Sequence, residues 1–298
     1  MKVINFGSLN IDHVYQLDRF VKPGETLASS DYQRFVGGKG CNQSIALSRA
    51  GATVMHAGRI GSDGMELKNY LAQCGVDVSL IKIDPGPTGH AIIQVTRNGE
   101  NSILLHGGAN QRVIPADVDE AMALASSDDL ILVQNEISNI PYILNSAAER
   151  GLRIVFNPAP MNPGVHDYPL DKVDCFILNE HEGRELSNQG SGSNELVLKN
   201  LSERYSDSEI ILTLGAKGVW YQRAGQRVNV PGRAVDVVDT TAAGDTFVGY
   251  FLAGTIAGSQ TRESLQLGCE AASLCVQQPG AADSIPDSDQ LQDNSAQP

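Results

Sequence analysis

The sequence has no long apolar run and no segment that resembles a signal peptide. No stretch of its 298 residues approaches the roughly 20 consecutive apolar residues that a membrane-spanning helix needs. The N-terminal residues enter a strand-like pattern directly, without the apolar segment that directs secretion. We therefore expect no membrane association and a cytoplasmic location.

Positive charge is also scarce. Lys and Arg total 22 against 35 Asp and Glu, which gives a formal net charge of −13, and the acidic residues are scattered along the chain. A protein that binds nucleic acid through the phosphate backbone presents a basic surface. The composition therefore argues against a general nucleic-acid binder.

The cysteines form no Cys-x-x-Cys motif and are widely spaced. They are Cys41, Cys74, Cys175, Cys269 and Cys275. This pattern is typical of reduced thiols, and a chain of this length buries enough apolar surface to fold without a disulfide framework or a structural zinc. We expect Cys41 to be a small buried residue and not a reactive thiol.

Short apolar runs alternate with longer helical patterns along most of the chain. The runs are VINFGS at 3–8, DLILVQ at 129–134, RIVFNP at 153–158, CFILN at 175–179 and EIILTLG at 209–215. Runs without polar alternation are typical of strands covered on both faces, and strand–helix alternation predicts a mainly parallel sheet. The sequence therefore predicts an α/β fold of three layers.

Two segments, residues 11–35 and 88–106, break this alternation. Their apolar and polar residues alternate, and Arg97-Asn98-Gly99-Glu100 favours a hairpin turn. We expect antiparallel strands in a small sheet that stands off the main domain as a lid. Its apolar residues would be covered by a ligand or by a second subunit's lid. They are Ile92, Val95, Ile103 and Leu105.

A single domain over residues 1–286, with the lid inserted in it, accounts for most of the chain. The remaining residues 287–298, DSDQLQDNSAQP, are polar and nearly without large apolar side chains. We expect this tail to be disordered.

The usual phosphate-binding signatures are absent. Gly38-Lys39 is followed by Gly40 instead of Ser or Thr, so there is no P-loop, and the dinucleotide fingerprint is missing as well. A different segment, VVDTTAAGDTF at 237–247, carries a strand end into an apolar-striped helix. The first N–H groups of a helix have no partner inside it, so an anion fits there.

Asp245 lies in the first turn of that helix. A carboxylate there can accept a proton from a hydroxyl, while the N–H groups of Ala243 and Gly244 hold charge on a transferring phosphoryl group. Taken alone, such an aspartate is equally explained by its favourable interaction with the helix dipole. A second glycine-rich segment, FVGGKGCNQ at 35–43, also opens a helix. Its polar side chains share one face of the first turn: Lys39, Asn42 and Gln43.

Six motifs occur in the order found in the ribokinase-like (PfkB) carbohydrate kinases, which this chain resembles from about residue 3 to Pro286. They are Asn10-Ile11-Asp12, GGKGCNQ at 37–43, Asn157-Pro-Ala-Pro, Asn179-Glu180-His181-Glu182, Thr213-Leu-Gly and DTTAAGDTF at 239–247. The resemblance implies a sugar site made of Asn10, Asp12, Gly38, Lys39, Asn42, Glu136 and Asp245. Carboxylates and amides suit a polyol because a carboxylate accepts two hydroxyl hydrogens and an amide both donates and accepts.

The resemblance also implies ATP and two metal ions. ATP would lie beside Asn179 and Glu182, which would act on its phosphates and on Mg²⁺ through water. Further ATP-binding residues would be Thr213, Gly215, Gly218 and Gly244. Potassium would be held by Asp239, Thr241, Cys275, Gln278, Gly280 and Ser284. Departures from the family pattern at Cys275, Gln278 and Pro279-Gly280 need not remove that site, because most of its ligands would be backbone carbonyls.

The activity that the resemblance implies is transfer of the ATP γ-phosphoryl group to the 5-hydroxyl of D-ribose, with Asp245 as the base. Family members also dimerise through the lid, so we expect a homodimer. A deoxyribokinase, a nucleoside kinase and a hexose kinase are alternatives within the family. Outside it, the alternative is a non-catalytic sugar-binding regulator.

Overall fold

A nine-stranded sheet forms the central layer of the protein. The computed structural model describes the backbone of residues 1–295 and the side chains of residues 1–291. The strands of this sheet are β1 (Val3–Phe6), β4 (Val54–Gly61), β5 (Ile81–Asp84), β8 (Leu130–Gln134), β9 (Arg153–Asn157), β10 (Cys175–Asn179), β11 (Glu209–Thr213), β12 (Val219–Arg223) and β13 (Gln226–Val230). Their spatial order is β13-β12-β11-β10-β9-β8-β1-β4-β5. All neighbouring pairs from β11 to β5 are parallel, and β12 and β13 add an antiparallel edge, which confirms the predicted α/β fold.

Helices cover both faces of this sheet. They are α1 (Lys39–Arg49), α2 (Met65–Gln73), α3 (Pro115–Ala123), α4 (Ile140–Glu149), α5 (Glu180–Leu186), α6 (Asn194–Arg204), α7 (Ala243–Ile256), α8 (Thr261–Cys275) and α9 (Ser288–Ser295). Successive strand residues point to opposite faces, so the core divides into two clusters. Val3 packs with α1 and α7 on one face, and Ile4 packs with α4 on the other.

The predicted lid is a separate four-stranded sheet. Its strands are β2 (Asn10–Leu17), β3 (Asp31–Gly37), β6 (Gly89–Thr96) and β7 (Asn101–His106), in the order β3-β2-β6-β7. The pairs β2–β3 and β6–β7 are antiparallel, and the Gly99 amide closes the predicted hairpin turn on the Thr96 carbonyl at 2.9 Å. The central pair β2–β6 is parallel, however, because both strands leave the main domain in the same direction, with Asn10 opposite Gly89.

The strand register also corrects the predicted apolar face of the lid. Ile103 and Leu105 line the space under the lid, and Val95 lies opposite Asn101, which lines the same space. Ile92 lies opposite Leu104, so it belongs to the other face. Side chains of successive strand residues point to opposite faces of a sheet. Ile93, next to Ile92 on β6, is therefore the residue that faces inward.

Residues 288–295 of the polar tail form α9 in the structure, although the composition predicts disorder there. Leu291 is buried and packs into the core cluster of α1 and α7. The preceding residue Pro286 accepts a hydrogen bond from the buried Tyr250 hydroxyl at 2.6 Å, which holds the start of this segment in place. The segment is therefore held both by an apolar contact and by a hydrogen bond. Residues 296–298 lie outside the described residues.

All five cysteines lie in the described part of the chain and are free thiols, with Cys41 fully buried in the core as expected. Among the described residues, no helix is both long enough and apolar enough to cross a membrane.

Candidate active site

The lid and the carboxyl ends of the central strands enclose a cavity of about 510 Å³. Its wall contains residues that lie far apart in the sequence and were predicted to bind the sugar, ATP or a metal ion: Asn10, Asp12, Gly38, Lys39, Asn42, Glu136, Asn179, Glu182, Thr213, Thr241, Gly244 and Asp245. The lid strands β6 and β7 contribute Ala91, Ile93, Asn101, Ile103 and Leu105. The cavity therefore combines a polar floor with an apolar cover, an arrangement typical of small-molecule sites.

Asp245 is held in the first turn of α7 by two amides from α1. Its Oδ1 accepts a hydrogen bond from Gln43 Nε2 at 2.8 Å, and its Oδ2 accepts one from Asn42 Nδ2 at 3.0 Å. The carboxyl is only 7% exposed but lines the cavity. Since both oxygens accept hydrogen bonds from neutral amides, the orientation of the carboxylate is fixed.

The backbone before Asp245 presents free donors to the cavity. Ala242 precedes the helix with a φ of 61°, a left-handed conformation that is uncommon for a residue other than glycine. The Ala243 amide donates to the Thr240 carbonyl at 3.3 Å. Within the described part of the chain, the Gly244 and Asp245 amides have no such partner. The donors available to an anion are thus those of Gly244 and Asp245, whereas we predicted Ala243 and Gly244.

Two carboxyl groups meet at the other end of the cavity. Glu136 accepts hydrogen bonds from the Ser8 hydroxyl and from the Lys39 amide, the latter at 3.1 Å. Burial raises the pKa of Glu136. Burial and the nearby Glu136 raise the pKa of Asp12 to about 7. This pair lies among hydrogen-bond donors and suits a ligand with several hydroxyl groups.

Amide groups beside this pair are oriented by their neighbours. Asn110 donates to Asn10 Oδ1 at 2.8 Å and accepts from the Leu9 amide at 3.0 Å, so the Asn10 amide nitrogen is left to face the ligand. Asn42 donates to Asp245, and its Oδ1 is buried without a partner among the described residues. A buried acceptor of this kind is satisfied by a ligand hydroxyl.

Lys39 brings a positive charge into this acidic cavity. Asp245 is the main cause that raises the pKa of the Lys39 ammonium group, and Glu136 and Glu182 act in the same direction, although burial opposes them. Lys39 is therefore charged at neutral pH and can bind a phosphate group next to the base. The field in a cleft depends on nearby groups and bound ions, so the net −13 of the chain does not by itself oppose the binding of a phosphate group.

Asn179 and Glu182 form the cap at the start of α5, and both line the cavity. Asn179 Oδ1 accepts from the Glu182 amide at 2.9 Å, and the Glu182 carboxylate accepts from the Asn179 amide at 2.9 Å and from its side chain at 2.8 Å. Burial raises the pKa of Glu182. Since both carboxylate oxygens already accept hydrogen bonds, this pair suits a hydrated Mg²⁺ held through water, which fits the reluctance of Mg²⁺ to lose its water.

Two predicted ATP-binding glycines are not part of the cavity wall. Gly215 and Gly218 flank the short turn after β11. Gly218 has a φ of 93°, and a Cβ there would overlap the Val230 carbonyl, so the local backbone itself requires glycine.

A model of the pfkB family of carbohydrate kinases matches residues 1–288. The chain belongs to the PfkB family. This confirms the resemblance expected from the sequence motifs.

Similar PfkB proteins are known by sequence and by structure. The chain is 37% identical over 287 residues to a ribokinase of Haemophilus influenzae, with 94% of each chain covered. Its fold matches the ribokinase of Arabidopsis thaliana complexed with ribose and ATP at a TM-score of 0.90 and 28% identity, covering 100% of this chain and 99% of that one. It matches the ribokinase of Cryptococcus neoformans in complex with ADP at a TM-score of 0.85 and 33% identity, covering 98% and 99%.

The predicted potassium ligands of this PfkB kinase lie together beside α7. Asp239 accepts hydrogen bonds from the Thr241 amide at 2.9 Å and hydroxyl at 2.6 Å, and from the Gly280 amide at 3.1 Å. The Cys275 sulfur lies 3.6 Å from the Thr241 carbonyl and 3.2 Å from Ser284 Oγ. Gln278 follows one turn later, and its backbone amide donates a hydrogen bond to the Cys275 carbonyl at 3.1 Å. Carboxylate and carbonyl oxygens are suitable ligands for potassium, so these residues fit the ion.

Sequence reasoning missed several residues of the PfkB site. Ser8 lies two residues before the Asn10 motif, so its closeness to that motif in the sequence could have identified it as a site residue. Asn110 and Gln134 have no local signal, because each acts through a partner about 90 to 100 positions away in the chain. Gln43 was placed on the correct helix face, but its bond to Asp245 became visible only in the structure.

Proposed function

We propose that this chain transfers the γ-phosphoryl group of ATP to the 5-hydroxyl of D-ribose and forms ribose 5-phosphate and ADP. The observation that carries the proposal is the position of Asp245: a buried carboxylate, fixed by two amides, directly beside free backbone donors and facing a hydroxyl-binding cavity. The ribokinase names of the similar proteins support ribose as the acceptor.

Ribose binds at the end of the cavity formed by Asp12 and Glu136. Their carboxylates accept hydrogen bonds from sugar hydroxyls, and the Asn10 amide nitrogen donates one. The unpartnered Asn42 Oδ1 accepts another, which satisfies a buried group that otherwise destabilises the fold. Gly38 allows the backbone to approach the sugar closely. The apolar lid side chains cover the sugar and exclude water, which limits hydrolysis of ATP.

The reaction is an in-line displacement at the γ-phosphorus. Asp245 accepts the proton of the 5-hydroxyl as that oxygen bonds to phosphorus, and the bond from phosphorus to the β,γ-bridging oxygen breaks to release ADP. The Gly244 and Asp245 amides stabilise the charge that develops on the phosphoryl oxygens, with Ala243 at the edge of this site. The Lys39 ammonium group contributes to the same stabilisation.

ATP occupies the part of the cavity lined by Asn179, Glu182 and Thr213, and extends along the turn that contains Gly215 and Gly218. Mg²⁺, when bound, neutralises charge on the phosphates. Asn179 and Glu182 would hold it through water. A potassium ion at Asp239 and the Thr241 carbonyl would stabilise the loop that leads into α7. Equal rates in potassium-free and potassium-rich buffer would contradict this role.

We also propose that two copies of the chain associate through the lid. Ile103, Leu104 and Leu105 of β7 are 58%, 68% and 46% exposed, which is an unusual degree of exposure for neighbouring large apolar residues. Sedimentation velocity of the wild type should give a dimer, and Ile103→Lys should shift it toward the monomer. A monomeric wild type at micromolar concentration would contradict this assembly.

The function is tested by ADP release from Mg·ATP with D-ribose, 2-deoxyribose, fructose and adenosine in parallel. Asp245→Ala is expected to abolish turnover while ribose binding by calorimetry persists. The matched control is Asp207→Ala, which removes an exposed aspartate outside the cavity. Ribose-dependent turnover that is lost only in Asp245→Ala supports the proposal. Turnover with another acceptor would reassign the substrate, and no turnover with any acceptor would favour a non-catalytic regulator.

A further inference from the structure

A continuous series of buried polar side chains lies behind Asp245. Starting from the base, its members are Gln43, Gln134, Asn5, Ser44 and His56, and each is 0% exposed. None of them lines the cavity. They lie in the core between β1, β8, β4 and α1, where polar groups are costly unless every donor finds an acceptor. We refer to them as the buried relay.

The direction of the hydrogen bonds is set at the His56 end. His56 Nε2 lies 3.2 Å from the Gly7 carbonyl, which only accepts, so Nε2 carries the hydrogen. Burial lowers the pKa of His56 to about 4, so the ring is neutral and Nδ1 accepts. The donor to Nδ1 is the Ser44 hydroxyl at 2.8 Å. Ser44 Oγ in turn accepts from Asn5 Nδ2 at 2.8 Å.

The same direction continues to the base. Asn5 Nδ2 also donates to the Gly40 carbonyl at 2.8 Å, so Asn5 Oδ1 is the oxygen that accepts from Gln134 Nε2 at 2.9 Å. Gln134 Nε2 then donates its second hydrogen to Gln43 Oε1 at 2.7 Å. The oxygen of Gln43 is thereby assigned, and its NH₂ group has to face Asp245 Oδ1 at 2.8 Å.

A side branch fixes the second hydrogen of Gln43. Gln43 Nε2 lies 3.2 Å from Asn157 Oδ1, and Asn157 Nδ2 donates to the Ile177 carbonyl at 2.8 Å. Backbone carbonyls that only accept therefore anchor both ends of the arrangement. A flipped Gln43 amide would place its oxygen against the Asp245 carboxylate and its NH₂ against the NH₂ of Gln134, which is unfavourable at both contacts.

We propose that Gln43 is a positioning residue for Asp245, and that the buried relay from His56 holds the Gln43 amide in the one orientation that donates to Oδ1. The inference rests on the proposed function, in which Asp245 is the base. A donor on Oδ1 fixes the carboxylate plane, so the remaining lone pairs meet the sugar hydroxyl in a constant geometry. Gln43 itself does not touch the substrate cavity.

The test compares Gln43→Met with Gln43→Glu. Methionine fills a similar volume without a donor, so kcat should fall by about 10- to 100-fold, the effect of losing one hydrogen bond to a charged group. The KM for ribose should stay within about threefold of wild type, because a loss confined to the transition state changes kcat and not binding.

Gln43→Glu gives a distinct pH signature. At low pH the carboxyl hydrogen of the introduced glutamic acid can donate to Asp245 in place of the amide, and at higher pH this donor is lost and two negative charges meet. The kcat of Gln43→Glu divided by that of Gln43→Met should therefore rise as pH falls. The other titratable groups that act on Asp245 are the same in both variants: Lys39, Cys41, Glu136, Glu182 and Cys275.

Two further variants complete the design. Gln222→Met makes the same change at a half-buried glutamine that donates to Ser202 from β12, far from the base, and should leave kcat unchanged. Gln134→Met frees the Gln43 amide without touching Asp245, and should lower kcat with little change in KM. This variant also carries the test if the Gln43 variants do not fold, as judged by circular dichroism.

Parallel pH profiles for wild type and both Gln43 variants, or wild-type kcat in Gln134→Met, would overturn the positioning role and leave Gln43 as a packing residue. The wild type is assayed with ribose alongside them. An inactive wild type contradicts the proposed function, whereas an active wild type with an unaffected Gln43→Met contradicts only this inference.

Discussion

Gly249 of α7 lies directly against Ala46 of α1, and a Cβ on Gly249 would overlap the Cβ of Ala46. This contact is one turn beyond Asp245 on α7 and one turn beyond Asn42 on α1. It sets how closely the two helices approach, and so it permits the hydrogen bonds of 2.8 and 3.0 Å that hold the Asp245 carboxylate.

Gly249→Ala should therefore weaken both the fold and the reaction. Added volume in a packed contact costs about 1–3 kcal/mol, which exceeds the roughly 1 kcal/mol that alanine gains over glycine in a helix. We expect a lower free energy of unfolding in urea and a lower kcat, because α7 moves away from α1. Gly190→Ala is the control, since a Cβ at Gly190 meets no atom within 4 Å. An active and fully stable Gly249→Ala would show that the helix spacing is not limiting.

Asp12 should make the protein less stable as pH rises. Its pKa is about 7 in the folded state, against 3.8 for an ordinary aspartate, because of burial and Glu136. Between these values the folded state binds more protons than the unfolded state, so the free energy of unfolding falls as pH increases toward 7. Asp12→Asn has no titratable carboxyl group at this position, so it lacks this contribution to the pH dependence of stability.

The measurement is urea denaturation between about pH 4.5 and 8, with the wild-type free energy of unfolding compared to that of Asp12→Asn at each pH. The difference should shift in favour of the variant as pH rises. Asp207→Asn, at an exposed position, should follow the wild type. A difference that is constant over this range would contradict the raised pKa.

His56 should act in the opposite direction. Burial lowers its pKa from 6.5 to about 4 in the folded state. Between these values the unfolded state binds more protons, so stability is lost as pH falls from 6.5 toward 4. His56→Gln should be less stable than wild type at pH 7 but should show a weaker loss on acidification, measured by thermal unfolding in a pH series. The exposed His106→Gln serves as control, and an equal acid slope in all three proteins would refute the assignment.

Leu291 anchors the C-terminal helix to the core. It is buried in the cluster formed by α1 and α7. Leu291→Ala should lower the free energy of unfolding by about 2–3 kcal/mol, the lower part of the range for a buried leucine, because a terminal segment relaxes more easily than the core. Leu124→Ala, at a position that is 48% exposed, should have little effect. Equal unfolding midpoints for the two variants would indicate that α9 is not docked in solution.

Local patterns in the sequence were sufficient for the fold class, the hairpin lid and the helix that begins with Lys39, and they singled out Asp245, whose role as candidate base also needed the order of the other motifs. Each of these features depends on residues that lie close together in the sequence. They are apolar runs for strands, a turn signal at Asn98-Gly99, and small residues before a helix. The motif order added the family, which the match over residues 1–288 confirms.

The tertiary structure alone decided the remaining features. The β2–β6 pairing is parallel because the lid strands leave the same end of the sheet, and α9 docks because Leu291 reaches a core made by distant helices. The Gln43–Asp245 hydrogen bond joins residues 202 positions apart. The sequence determines which groups can donate and accept, but their partners are selected only when the packing of α1, α7 and the central strands brings them within hydrogen-bond distance, since a periodic pattern holds no information about contacts between distant segments.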